Sequence, residues 1–336
     1  MTKFVVIGLA VISAFAGTAS AADLLINGAG ATFPEPIYQE WFSQFKAANP
    51  SVQINYQAIG SGAGIKQLTE GTVDFGASDK FMSDEQLGKL KVKALHFPTV
   101  LGAVVLTYNL PGINTPINLT GPVIAGIFLG DIKMWNDAKI AAVNKGVALP
   151  AKPIIVVHRS DGSGTSFVFT EYLSKVSADW KSKVGTNDAV NWPVGMGGKG
   201  TAGVAGLVKQ NPYSIGYVEL LYAKQNKLGY AKVENSSKQF IEASVESVTA
   251  AAAGVKMTDD FRVSITNGSG KAAYPISTYT WLLIPSKIED AGKKKALVDF
   301  LTWMLKTGQK GASAKDYAPL PASVVASELK QIALIK

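Results

Sequence analysis

The sequence of 336 residues contains no cysteine, which excludes disulfides, thiolate metal sites and cysteine nucleophiles. The same absence removes the lipid-modified cysteine that tethers some exported bacterial proteins to a membrane. Histidine is scarce as well: His96 and His158 are the only two, and neither has a second ligand at metal spacing. Charged residues make up 17% of the chain against 47% hydrophobic, the composition of a packed globular protein rather than a disordered one. There is no repeat at solenoid or propeller spacing. Past the first twenty residues, no apolar run is long enough to span a bilayer. No basic stretch is interleaved with aromatics, so nucleic acid is not an expected partner. The densest basic cluster, residues 293–295, opens an amphipathic pattern and reads as a solvated helix face. The net charge of +8 agrees, weakly, with an anionic ligand.

What is present begins with Lys3, followed by a run over residues 4–16 that is apolar apart from Gly8 and Ser13. The segment ends in Ala19, Ser20 and Ala21, a small-x-small cleavage form. Residues 1–21 are expected to be a secretory signal peptide cut after Ala21. The mature chain is then expected in the periplasm with no membrane anchor. Lacking disulfides, it must rely on its core, and it is long enough to form two domains.

Apolar strand patterns alternate with helical ones through the mature sequence, implying α/β architecture with mainly parallel sheets. Residues 96–109 and 274–285 form two long apolar strands that bracket a middle region of the chain. Two lobes joined by two crossovers would follow, with a ligand cleft between them.

Three distant segments share one form, a strand that breaks into glycine and hydroxyl residues and opens a helix. The first is G-A-G-A-T-F-P over residues 28–34, with Thr32 and Phe33 at the turn. The second is I-G-S-G-A-G over residues 59–64, with Ser61 as helix cap or anion-binding hydroxyl. The third is V-V-H-R-S-D-G-S-G-T-S over residues 156–166, where Ser163 or Thr165 suits the cap and Gly164 lies between them. Each presents backbone N–H groups at the positive end of a helix dipole, so three such turns facing one cleft would converge on one anion. Arg159 adds a planar fork of donors able to neutralise an oxyanion. Asp161 suits either an ion pair that orients Arg159 or a helix cap.

Asp79 closes V-D-F-G-A-S-D over residues 73–79. It reads either as a cap for the helix over residues 84–90 or as part of the anion site. In the second role a carboxylate repels a fully deprotonated oxyanion, and is tolerated only if the ligand donates a proton to it. Phosphate keeps a proton near neutral pH and sulfate does not. A carboxylate facing sulfate would be left buried and unsatisfied, at ~1–3 kcal/mol or more.

Two nucleotide-like motifs fail on inspection. Phe33 stands where the dinucleotide fingerprint needs its third glycine, and in G-M-G-G-K-G over residues 195–200 Pro193 and Gly200 replace required Walker A positions. Hydrolysis is not indicated either. No G-x-S-x-G elbow surrounds Ser163, and neither histidine is placed to serve it as base.

The motifs G-A-G-A-T-F-P, Y-Q-A-I-G-S-G-A-G, V-D-F-G-A-S-D, F-P-T-V-L-G, R-S-D-G-S-G-T-S-F-V-F and W-P-V-G-M-G-G-K-G occur in that order along the mature chain. Together they resemble the periplasmic phosphate-binding proteins of bacterial Pst-type ABC importers. The resemblance implies a type II periplasmic-binding-protein fold of two α/β lobes with a ligand cleft and two hinge crossovers. On that reading residues 22–104 and 276–336 form one lobe and residues 105–275 the other. It also implies phosphate contacts at Thr32, Phe33 through its backbone N–H, Ser61, Asp79, Arg159, Ser163, Gly164 and Thr165, with Asp161 as the partner of the arginine. Gly62 departs from the second serine found in many relatives. The expected role is binding inorganic phosphate and delivering it to membrane permease subunits of an ABC importer, as a monomer, without cofactor or metal and without catalysis. A different tetrahedral oxyanion, sulfate or molybdate, is the alternative ligand, and a phosphatase the remoter one.

Overall fold

The computed structural model describes residues 24–336. The expected signal peptide, residues 1–21, lies outside the described residues. Strand β1 (Leu24–Gly30) leads into helix α1 (Glu35–Ala48), which places Pro34 and Pro36 at its N-terminus, where no intrahelical donor is lost. The helix buries Ile37, Tyr38, Trp41, Phe42 and Phe45, spaced for one face. The alternating strand β2 (Val52–Ala58) precedes α2 (Ser61–Glu70), which ends at Gly71 in the left-handed region. After the fully buried β3 (Phe75–Ser78) comes the short α3 (Asp84–Gly88), started by a capping box on Ser83. Strand β4 (Ala94–Tyr108) is buried along all 15 residues.

The middle region continues through β5 (Asn118–Leu119), α4 (Gly121–Leu129) and α5 (Ala138–Ala141). Strand β6 (Ile155–Arg159) runs into α6 (Gly164–Val176) and α7 (Ala178–Lys183). The glycine-rich segment 195–200 contributes a short strand, β7 (Met196–Gly198), and opens α8 (Gly200–Gln210). Next are β8 (Ser214–Glu219), α9 (Leu220–Gln225), β9 (Gly229–Tyr230), β10 (Lys232–Glu234), β11 (Phe240–Ile241) and α10 (Val245–Ala253). The chain closes with β12 (Ser277–Pro285), α11 (Ala291–Lys306) and α12 (Ala322–Gln331).

One sheet path runs β2-β1-β3-β12-β4-β8-β6-β7, and β5, β10 and β11 form a small separate sheet. The expectation of mainly parallel pairing needs correction. Pairing is parallel at the two ends, among β2, β1 and β3 and among β8, β6 and β7, but β12 runs antiparallel to both β3 and β4, and β4 antiparallel to β8. Every antiparallel pair of this sheet involves β12 or β4, and β4 is about 50 Å long at ~3.3 Å per residue. Its segment from Ala94 to Ala103 pairs with β12, and its segment from Val104 to Tyr108 pairs with β8. One strand thus belongs to both halves of the molecule. The turns after β1, β2 and β3 lie in one half and those after β6 and β7 in the other, so both sets meet where the halves face each other.

Candidate anion-binding site

Each site turn is held by a different local device. After β1, the Ala31 N–H donates to the Ala77 carbonyl (2.9 Å), which turns Thr32 and Phe33 toward the second half. The Phe33 side chain is buried, and its carbonyl accepts the Tyr317 hydroxyl (2.7 Å). After β2, the cap residue of α2 is Gly60, at φ +97°, a conformation that favours glycine. Ser61 is therefore the first residue of the helix rather than its cap. Its hydroxyl, fully buried, accepts the backbone N–H of Asp79 at 3.2 Å. After β6, Ser163 is the cap of α6, accepting the Ser166 N–H at 3.0 Å. Gly164 and Thr165 occupy the first helical positions, whose N–H groups have no partner within the helix.

These turns converge. A Cβ on Gly164 would lie 2.4 Å from the Ser61 hydroxyl oxygen and 2.8 Å from the Asp79 backbone nitrogen, so only a glycine fits there. The Thr165 hydroxyl donates to Oδ2 of Asp79 at 3.3 Å. The Gly62 N–H donates to the Gly162 carbonyl (2.9 Å), and the Thr32 and Thr201 hydroxyls share a 2.7 Å hydrogen bond. Thr32, Phe33, Ser61, Asp79, Arg159, Ser163 and Thr165 are all buried. Contacts join Ser61, Asp79, Gly164 and Thr165 to one another, and Thr32 to Arg159 through Thr201, while Phe33 and Ser163 adjoin them in the chain.

Arg159, 3% exposed, is fixed on several sides. Its Nε and Nη2 donate to the two carboxylate oxygens of Asp161 (2.8 and 2.5 Å), and Nη1 donates to the Thr201 hydroxyl (3.3 Å). Its backbone N–H donates to the Tyr217 hydroxyl at 3.0 Å. Asp161 also accepts the Gly200 N–H (3.0 Å) at the start of α8. It therefore orients the arginine, and the helix it serves as an acceptor is α8 rather than α6. Burial pushes the Asp161 carboxyl up, but hydrogen bonds from Arg159, its positive charge and the Gly200 N–H outweigh that and hold the pKa below its ordinary value.

Asp79 does not cap α3, a place taken by Ser83. At 1% exposure, its Oδ1 accepts the Thr280 hydroxyl at 2.9 Å while Oδ2 faces Thr165. Burial pushes its pKa up to about 7, against the lowering influence of the Thr280 hydrogen bond, the Arg159 charge and the Thr165 hydrogen bond. A carboxyl poised there accepts a proton from a ligand or donates one to it, depending on pH.

Of the two histidines only His96 stands apart; Nδ1 of His158 lies 3.0 Å from the carbonyl oxygen of Arg159. His96 is buried in the first half, where its Nε2 accepts the Met82 N–H (3.0 Å) and burial pushes its pKa down to about 4. His158 stacks on Trp192, with ring centroids 4.9 Å apart. A cavity of about 220 Å³ lined by Thr32, Glu35, Ile59, Asp161, Gly200 and Thr201 adjoins the cluster. A separate groove of about 690 Å³ lies between the segment after α10 and α12, remote from these residues.

Sequence reasoning missed Thr201, Tyr217 and Thr280. Thr201 had a signal, since G-M-G-G-K-G before it is a fourth strand–glycine–helix turn, here β7 to α8. Thr280 had none, because a threonine in an apolar strand is ordinary.

The sequence model of the PBP superfamily domain matches residues 16–307. The phosphate-binding protein PstS of Xylella fastidiosa (strain Temecula1) is 47% identical over 303 residues, covering 89% of this chain and 82% of the relative. That of Pasteurella multocida is 45% identical over 328 residues, covering 97% and 94%, and that of Methanocaldococcus jannaschii 38% over 337 residues, covering 93% and 87%. Among solved structures, a high-affinity periplasmic phosphate-binding protein bound with phosphate (PfluDING) matches at TM-score 0.74 and 20% identity, covering 91% of this chain and 93% of that one. A phosphate-binding protein from Stenotrophomonas maltophilia matches at TM-score 0.71 and 19% identity, covering 93% and 94%. At such identities these two likenesses concern the fold, which is that of the periplasmic binding proteins. With the sequence relatives, they place the chain: it belongs to the PBP superfamily and, within it, to the PstS phosphate-binding proteins.

Proposed function

We propose that this chain binds inorganic phosphate in the periplasm and delivers it, as a monomer, to the membrane permease of an ABC importer. It acts as a binding protein and not as an enzyme. The ligand contacts are Thr32, Phe33, Ser61, Asp79, Arg159, Ser163, Gly164 and Thr165, with Asp161 holding the arginine. The two lobes comprise residues 22–104 with 276–336, and residues 105–275. The observation that carries the reading is Asp79, a buried carboxyl among hydroxyl donors, helix N-termini and an arginine. Such a group favours an anion that still bears a proton, because phosphate donates to it and sulfate has nothing to donate.

Calorimetry on protein unfolded and refolded to strip bound ligand tests this, with phosphate, arsenate and sulfate as titrants. Phosphate and arsenate should bind and sulfate should not compete at pH 8. Below about pH 7 Asp79 gains its own proton and becomes a donor, so sulfate should compete better as the pH falls. Sulfate displacing phosphate at equal concentration at pH 8 would overturn the assignment.

A further inference from the structure

Thr280 lies on β12, far in sequence from every turn of the site. In the antiparallel ladder between β12 and β3, Trp281 is opposite Ser78, so Thr280 falls beside Asp79, one position beyond. The ladder with β4 is irregular at the same point: Thr280 pairs with Val100 and Trp281 with Pro98, leaving Thr99 over. Irregularities of this kind re-aim a side chain. The Thr99 hydroxyl donates to the Thr280 carbonyl at 3.2 Å, and the Thr99 carbonyl accepts Nε2 of Gln309 at 2.7 Å. The backbone that carries the Thr280 hydroxyl is therefore anchored from the side away from the site.

That hydroxyl is fully buried and has two acceptors within reach, Oδ1 of Asp79 at 2.9 Å and the Ser78 carbonyl at 3.3 Å. A hydroxyl carries one proton and can also accept. With Asp79 ionised, the proton points to Oδ1. With Asp79 protonated on Oδ1, the carboxyl donates to Thr280, whose own proton turns to Ser78. We propose that Thr280 is a positioning residue for anion selectivity: it satisfies Oδ1 of Asp79 and so leaves Oδ2 as the acceptor for the ligand's proton. This rests on the phosphate reading above.

The other groups facing Asp79 do not perform this task. Arg159 on β6 is already paired with Asp161. Lys80, next in the chain, is paired with Asp188 at 2.7 Å. Tyr38 on α1, Tyr56 on β2 and Tyr317 ahead of α12 are buried or half-buried phenols whose pKa values burial raises, so they stay neutral. Thr165 donates to the other oxygen.

Thr280→Val removes the hydroxyl at constant shape, and Thr280→Ser keeps it. The first readout needs no phosphate: the carboxyl carbon resonance of Asp79, identified by its loss in Asp79→Asn, is followed against pH in stripped protein. Its midpoint should rise by about one unit in Thr280→Val, as expected for loss of a donor to a buried carboxylate, and return in Thr280→Ser. The second is the ratio of sulfate to phosphate affinity at pH 7.5, which should rise roughly tenfold in Thr280→Val, in line with a one-unit shift, whereas adding Thr280→Val to Asp79→Asn should leave the ratio of Asp79→Asn unchanged. An unchanged midpoint and ratio in Thr280→Val, or a Thr280→Ser variant that behaves like valine, would overturn the proposal. If the wild-type protein binds no phosphate, the phosphate reading falls, whereas the carboxyl midpoint still decides whether Thr280 controls Asp79.

Discussion

Arg159 and Asp161 face each other through two charge-assisted hydrogen bonds, so the guanidinium reaches the site with its charge largely balanced. With Asp79 added, the three groups sum to zero or to one negative charge according to the state of that carboxyl. The sequence suggested that Arg159 helps to neutralise an oxyanion; with its charge balanced by Asp161, the proposed site would draw much of its attraction from N–H and O–H donors at fixed positions. A second buried carboxyl behaves differently. Glu328 on α12 is fully buried, neither of its oxygens has a hydrogen-bond partner, and burial raises its pKa well above the ordinary value. The folded state therefore holds this proton more tightly than the unfolded chain. Its contribution is fully present below the unfolded pKa and is lost as pH rises toward the folded one. Glu328→Leu should accordingly raise the melting temperature, and by more at pH 8 than at pH 5, with an unsatisfied buried group costing ~1–3 kcal/mol. Scanning calorimetry at the two pH values checks this; an equal shift, or a fall at pH 8, would count against it.

Helix α6 is built to approach the opposite half. Ser163 caps it, and Gly164, directly after the cap, leaves room for Ser61 and Asp79. Its backbone is ordinary helical backbone rather than left-handed, so alanine adds no backbone strain there and is favoured by helix propensity. The added methyl instead collides across the cleft, 2.4 Å from the Ser61 oxygen. Gly164→Ala should leave the melting temperature of stripped protein within a degree or two while weakening phosphate binding roughly 10–100-fold, from the ~1–3 kcal/mol cost of overpacking. Calorimetric affinity set beside thermal stability separates the two effects. Equal affinity with wild type would mean that this contact is not part of the bound state.

Across the whole molecule, the two halves touch through more than the site residues. The Tyr222 hydroxyl on α9 donates to the Thr32 carbonyl at 2.9 Å, and Lys80 pairs with Asp188 at 2.7 Å. Lys80 also lies 5.3 Å from the centroid of the Phe167 ring, on the first turn of α6. The covalent connection is narrow by comparison. β4 pairs with β12 as far as Ala103 and with β8 from Val104 onward, and the Ile276 carbonyl just before β12 accepts the Val104 N–H (2.8 Å). We propose that these two adjacent strand crossings serve as a hinge, so that a ligand bridging the cleft should shift the population toward the closed arrangement. Small-angle scattering of stripped protein should show a smaller radius of gyration on adding phosphate but none on adding sulfate at pH 8. No compaction with phosphate would count against the hinge.

Much of this was legible locally. Each strand–glycine–helix turn is written in consecutive residues, because caps, first-turn prolines and glycine positions depend on neighbours in the chain. The capping residue itself was less so: Gly60 rather than Ser61 caps α2, since the deciding contact of Ser61 is with Asp79, on another strand. Sequence by itself determined the alternation of elements, the two long apolar strands, the turns and the residue types at the site. Only the tertiary structure decided that β12 and β4 run antiparallel at the centre of the sheet, that Asp161 balances Arg159, and that Thr201 and Thr280 join the cluster. The physical reason is range: the Thr32–Thr201 and Asp79–Thr280 contacts join residues 169 and 201 positions apart, and such pairs are set by strand register and lobe packing, which no local pattern encodes.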